Sequence, residues 1–274
     1  MSEFTKRSLS GTIFILIMLG AILWNLYSLF VLLLAISSIG LYEFYKIFRI
    51  RGYKPLVIGG IISGFLILLL VFLERLSFIP SKYLELIMIP VIGMWFSFIF
   101  VKRKDFIQSL MITVTGLIYL LLPLSLIPFI AQNQLTDYVY NPEILIGTLL
   151  IIWTYDTGAY ISGILLGKHR MAPKISPKKS WEGFAGGMVF AVLVGFLYAN
   201  FTSMLTITDW IILSFIIVLT GTAGDLFESI IKREAGLKDS GTVIPGHGGI
   251  LDRFDSLLFI IPFVFLYLYL IKIY

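Results

Sequence analysis

Apolar side chains follow one another along this chain in runs too long for a soluble helix and without the alternation of a half-buried strand. No charged residue occurs from Ser8 to Tyr42, from Phe106 to Thr136 or from Gly183 to Thr208. Each run exceeds the roughly 20 residues that carry a helix across a hydrocarbon core. The first run is too long for one straight span and divides into two near Asn25. Further spans are predicted from Pro55 to Leu73, Tyr83 to Val101, Phe106 to Ala131, Ile144 to Gly167, Gly183 to Phe201, Trp210 to Ile231 and Ser256 to Ile271, giving about nine. Lys6 and Arg7 precede the first run as they would in a signal peptide, but no A-x-A-like site follows, so it is read as a retained span. The expected fold is all-α, a polytopic integral membrane protein.

Charge placement tests this count independently, because Lys and Arg collect in cytoplasmic loops. With the N-terminus cytoplasmic, eighteen of the 21 basic residues fall in inside segments; only Arg75, Lys82 and Lys272 do not. The C-terminus then ends on the far side. Composition agrees, with 58% hydrophobic and only 14% charged residues and a mean hydropathy of +0.97. The net charge of +5 follows from insertion bias and requires no nucleic acid. Zero cysteines exclude disulfides, thiolate metal sites and a cysteine nucleophile. Residues 1–140 read as N-terminal helices forming scaffold and interface, and residues 141–274 as helices with two cytoplasmic loops that form the catalytic region.

Among the acids inside spans, where a charge costs on the order of 3 kcal/mol unless it faces a polar cavity or partner, two stand out. Asp156 in "IIWTYDTGAYISGILLGK" precedes Gly167 by eleven residues, roughly 16 Å along a helix and near the midplane. Asp225 in "LTGTAGDLFESIIKR" shares a face with Glu228 and Ser229, three and four residues on. Pairing with a lysine or capping of a broken helix would also place an acid in a span; a recessed site accounts for both better. The four-residue glycine spacings in "GIISG", "GFAGG" and "GILLG" read as close helix packing. The "GTAGD" glycines permit either packing or an unwound backbone beside Asp225.

The loop "GKHRMAPKISPKKSWEG" offers Lys168, Lys174, Ser176, Lys178 and Lys179 from a backbone restricted by Pro173 and Pro177. Insertion bias alone predicts lysines there; the serines and prolines favour a phosphate-binding role. The second loop, "SIIKREAGLKDSGTVIPGHGGILDRFD", carries Ser229, Lys232, Arg233, Lys238, Asp239, His247, Gly248, Gly249, Asp252, Arg253 and Asp255. Its glycines permit positive φ and expose backbone N–H groups to an anion. His247 could donate to phosphate or shuttle a proton, although a lone loop histidine is more often a simple hydrogen-bonding residue. Asp252 and Asp255 share a helix face; capping and the helix dipole explain one of them more readily than both. Hard carboxylates surrounded by cations suit Mg²⁺ and a polyphosphate, with room for a second cation. Zinc is not suited, since neither histidine has a ligand-spaced partner, and no Walker sequence is present.

The second loop resembles the signature of the phosphatidate cytidylyltransferases, the CDP-diacylglycerol synthases, through Ser229, Lys232, Arg233, Lys238, Asp239, Gly241, Ile244, Pro245, His247, Gly248, Gly249, Asp252, Arg253 and Asp255. The upstream stretch from Asp156 to Gly183 is similar to a second region of that family. The resemblance covers Asp156 to Asp255 and implies an integral membrane enzyme that makes CDP-diacylglycerol and pyrophosphate from CTP and phosphatidic acid with Mg²⁺. On that footing Asp225, Asp252 and Asp255 are expected to hold the metal, with Asp156 ranked behind them. Lys168, Lys174, Ser176, Lys178, Lys179, Ser229, Gly248 and Gly249 are expected to bind substrate. Lys232, Arg233, Lys238, Asp239, His247 and Arg253 complete the expected catalytic set. The expected setting is the inner membrane of a bacterium, among membrane lipids, with the site facing the cytoplasm and the protein a homodimer. Two rivals stand beside this reading: a CTP-dependent lipid-alcohol kinase, which would release CDP, and an ion-coupled transporter using Asp156 and Asp225, which would turn over no CTP.

Overall fold

The computed structural model describes residues 3–96, 105–133, 139–244, 246 and 248–271. The chain forms two compact units, one of Met1–Phe129 with Glu234–Phe254 and one of Ile130–Arg233 with Asp255–Tyr274. Seven helices among the described residues are long and apolar enough to cross a membrane, and the shorter apolar stretch Leu9–Trp24 adds an eighth candidate. The segment expected as a span from Tyr83 differs. It is a 3₁₀ turn, Ser81–Ile87, followed by a nine-residue helix, Met88–Phe96, and residues 97–101 lie outside the described residues.

In the first unit, α1 (Glu3–Trp24) gives way at Asn25 to α2 (Leu26–Ile50). Asn25 Oδ1 accepts from Ser28 N at 2.9 Å and Ser28 Oγ accepts from Asn25 N at 3.1 Å, a reciprocal cap that starts the second helix afresh. Next come α3 (Val57–Arg75), α4 (Met88–Phe96), α5 (Phe106–Gly116) and α6 (Leu122–Ala131); a π-turn at Leu117–Leu121 joins the last two into one span. Tyr45 is the hub. It is fully buried, its hydroxyl donates to Thr113 O at 2.9 Å, and its ring fills the space left by Gly60 and Gly116. With no lipid-derived hydrophobic force between helices, such small-residue contacts hold them together. The packing also fixes the rotation of α2 and therefore the direction of Glu43, two residues earlier.

The second unit begins with α7 (Glu143–Leu166), which packs along α8 (Trp181–Tyr198). Gly158 admits Phe190, and Gly187 admits the Tyr155 ring, so the glycine spacing read as packing serves that purpose. A short antiparallel hairpin, β1 (Arg170–Ala172) and β2 (Ser176–Ser180), connects the two helices where the sequence suggested an irregular loop. Trp210, at the start of α9 (Ile207–Glu234), is fully buried against Gly147 and Tyr198. The last helix, α10 (Leu251–Leu270), begins in the first unit and continues into the second. Within the second unit Gly224 lies so close to α10 that an added Cβ would come 2.6 Å from Asp255 O. The "GTAGD" glycines are thus packing glycines, on a continuous helix.

Candidate active site

The basic hairpin is held at its base by one carboxylate. Glu182 accepts from the backbone N–H groups of Lys168 and His169 at 3.1 and 3.2 Å and pairs with His169 Nδ1 at 2.5 Å. Ser180 starts α8 by accepting from Gly183 N at 3.1 Å, and Arg170 reaches across the hairpin to Lys178 O at 3.1 Å. Lys174 sits in the exposed turn, Ser176 begins β2, and Lys168 and Lys178 are exposed. Successive residues of a strand face opposite ways, so Lys179 turns where Lys178 does not. Its ammonium lies 2.6 Å from Asp225 Oδ2.

Asp225 is therefore the meeting point of the hairpin and α9. Ser229, one turn on, donates from Oγ to Asp225 Oδ1 at 3.4 Å. On α10 Asp255 lies within electrostatic reach of Asp225, Lys179 and Lys232, and accepts from Ser256 N at 2.6 Å. Lys232 pairs with Glu228 one turn earlier on α9, and both side chains are buried. Arg233 ties the end of α9 to the hairpin turn by donating from Nε to Ile175 O at 3.3 Å. The Tyr155 hydroxyl and Thr222 Oγ1, 2.7 Å apart, join α7 to α9 one turn below Asp225, and Tyr155 feels both Asp225 and Asp156. Asp156 itself is exposed on α7. An exposed carboxylate in mid-span costs on the order of 3 kcal/mol unless water or a polar group reaches it.

The first unit holds a second cluster, in the connection from α9 to α10. Asp252 accepts from Gly249 N at 2.7 Å and from Ser240 N at 2.9 Å. Gly248 adopts φ +88, and its carbonyl accepts from Ile244 N at 3.0 Å. Pro245 and His247 lie outside the described residues, so the expectation for His247 does too. Lys238, Asp239 and Arg253 are exposed around the same loop. Glu43, which sequence reasoning missed, closes the cluster: its Oε2 accepts from Leu251 N at 2.9 Å and from Ser240 Oγ at 3.2 Å. The nearest signal was a carboxylate at the end of a charge-free run, in "IGLYEFYKIF", but Lys46 three residues on offers it a local partner and masks that signal. Tyr155, Ser180 and Ser240 were also missed, and sequence offered no sign of them.

Among the described residues no three His, Asp or Glu side chains gather as a ready-made metal cage. Magnesium requires less, since one or two carboxylates suffice when water and phosphate fill the remaining octahedral positions. Asp225 and Asp255 fit that description, being hard oxygen donors on adjacent helices with cations around them. Asp252 differs, because both of its oxygens already accept backbone N–H groups.

A sequence model described as the cytidylyltransferase family matches residues 5–271. A protein of Haemophilus influenzae named phosphatidate cytidylyltransferase is 44% identical over 157 residues, 53% of this chain and 54% of that one. One of the same name from Staphylococcus saprophyticus is 50% identical over 115 residues, 41% of this chain and 44% of that one. The chain thus spans about half the length of these relatives. A third, from Bacillus subtilis, is 30% identical over 269 residues, 97% of both chains.

Proposed function

The chain belongs to the cytidylyltransferase family, and from that premise we propose that it transfers the CMP moiety of CTP to phosphatidic acid, giving CDP-diacylglycerol and pyrophosphate in phospholipid synthesis in a bacterial membrane. The observation that carries this reading is the pairing of Lys179 with Asp225 at 2.6 Å, which folds a basic hairpin onto an acidic helix face. Cations and carboxylates together are what a triphosphate and its counter-ion need.

In the proposed reaction a phosphatidate oxygen attacks the α-phosphorus of CTP, the bond from that phosphorus to the bridging oxygen breaks, and pyrophosphate leaves with the electron pair. No covalent enzyme nucleophile is required, because the lipid phosphate oxygen is already one. Positioning and charge neutralisation supply the acceleration. Lys179 and Lys232 lie near Asp225 and Asp255, Arg233 holds the hairpin turn to α9, and Lys168, Lys174 and Lys178 extend the positive surface outward to meet a soluble triphosphate or a headgroup. Ser229 orients Asp225 through its hydroxyl. Mg²⁺ bound by Asp225 and Asp255 would neutralise phosphate charge and polarise the reacting phosphoryl group.

The deciding experiment incubates purified protein in mixed micelles with labelled CTP, phosphatidic acid and Mg²⁺ and identifies both products. CDP-lipid with pyrophosphate is expected. Release of CDP with a phosphorylated lipid would point to the kinase reading, and absence of CTP turnover to the transporter.

A further inference from the structure

Glu43, toward the C-terminal end of α2, is one of the few buried carboxylates among the described residues, at 2% exposure. Burying an ionised carboxylate is expensive unless it is hydrogen-bonded, so a contact that persists there has a strong reason. Its partners all belong to one loop. Oε2 accepts from Leu251 N and Ser240 Oγ, the two ends of the segment Ser240–Leu251. Ser240 is shared: its backbone N–H donates to Asp252 while its hydroxyl donates to Glu43. Two glycines make the approach feasible. An added Cβ at Gly241 would come 2.2 Å from Glu43 Oε1, and one at Gly249 would come 2.4 Å from Oε2. Glu43 Oε1 has no hydrogen-bond partner among the described residues.

We propose that Glu43 is a positioning residue for nucleotidyl transfer, pinning both ends of the Ser240–Leu251 loop so that Asp252 and the glycine turn are presented in a single geometry. The inference rests on the reading of the chain as a CTP-dependent lipid cytidylyltransferase. Tyr45, locked between α3 and α5 two residues along the helix, gives Glu43 a rigid base. Asp252 closes the loop from within by the N–H groups of Ser240 and Gly249, and Glu43 closes it from outside. Neither carboxylate alone engages both loop ends and the turn glycine.

The test uses full-length protein in mixed micelles, comparing wild type with Glu43→Gln, Glu43→Ala, Gly241→Ala and the Glu43→Ala/Gly241→Ala double variant. Two quantities are read: the KM for CTP, and hydrogen exchange of peptides covering residues 239–252. A merely structural loss lowers the active fraction and hence the apparent kcat, leaving KM alone. Mispositioning raises KM for CTP by about tenfold and lowers kcat by roughly 10- to 100-fold, the scale of a displacement near 1 Å. Glu43→Gln, keeping one acceptor oxygen, should fall between wild type and Glu43→Ala. Exchange of the loop amides should quicken in both, with α7 and α8 peptides unchanged. Should Glu43→Ala fail to fold, Gly241→Ala pushes against the same carboxylate from the loop side and is expected to give the same signature. Where both fold, the double variant should be no worse than Glu43→Ala alone, since the clash disappears with the carboxylate. Unaltered KM and loop exchange in these variants, with an active wild type, overturns the inference alone. A wild type that turns over no CTP overturns the functional reading and the inference with it.

Discussion

Lys179 Nζ lies 2.6 Å from Asp225 Oδ2, so the C-terminal end of β2 and α9 are joined by opposite charges. Both side chains remain partly exposed, and a pair of that kind contributes only about 0–1 kcal/mol to stability. On the proposed function its value is chemical. Lys179→Met is expected to lower kcat/KM for CTP by roughly 10²–10³-fold, as removal of a charge-stabilising group does, with little change in the unfolding midpoint. Asp225→Asn should abolish turnover in protein that still extracts and folds. Wild-type rates in either variant would take this pair out of the proposed site; steady-state kinetics beside thermal unfolding decide it.

Lys232 and Glu228 make the opposite case, since both side chains are buried. Removing one member of a buried pair costs about 3–5 kcal/mol by leaving its counterpart charged in a poor solvent. Glu228→Gln is therefore expected to destabilise the protein strongly, and the double variant Glu228→Gln/Lys232→Met to recover much of that loss. Activity should not return with stability, because Lys232 is assigned to phosphate. A double variant that regains turnover would make Lys232 a structural residue only.

The helical architecture was legible because its signals are local. Charge-free runs mark spans, and Asn25 with Ser28 three residues on marks the division of the first run. The Asp225 region was legible for the same reason, since Asp225, Ser229 and Lys232 recur at helical spacing. Long-range contacts left no such trace. Glu43 meets Ser240 and Leu251 across 197 and 208 residues, and no property of "LYEFY" announces them. The hairpin sequence reads as a stiff loop because Pro173 and Pro177 restrict the backbone; Pro173 falls in the turn, Pro177 sits in a two-stranded ladder that is all edge, and Glu182 supplies the closure. The segment from Tyr83 reads as a span by hydropathy, yet a 3₁₀ turn occupies its first part, which hydropathy does not register.

Glu182 should control how the hairpin meets its ligand. It gathers Lys168 N, His169 N and His169 Nδ1, all at the hairpin's first residues. Without it Lys174, Lys178 and Lys179 would be presented from a looser loop, and ordering that loop on binding would be charged against affinity. Glu182→Ala is expected to weaken CTP binding by about tenfold, with only a small change in the unfolding midpoint because the group is part-buried near the surface, where such contacts contribute little. Calorimetric titration with CTP tests this, and an unchanged dissociation constant would assign the hairpin's order to its backbone ladder alone.

Asp225 and Asp255 present two carboxylates on adjacent helices, and the proposed divalent cation would join Lys179 and Lys232 in offsetting their mutual repulsion. Chelation with EDTA is accordingly expected to stop turnover, and added Mg²⁺ to restore it. Asp255→Asn should raise the Mg²⁺ concentration for half-maximal rate by about tenfold or more, since one of two protein ligands is lost. Asp252→Asn should behave differently, because its oxygens cap backbone N–H groups: the loss should appear as faster exchange at Ser240 and Gly249, with a smaller change in Mg²⁺ requirement. Magnesium titrations of the two variants side by side separate a ligand from a loop cap. Equal shifts would place Asp252 on the metal as well, and no shift for Asp255→Asn would remove that residue from it.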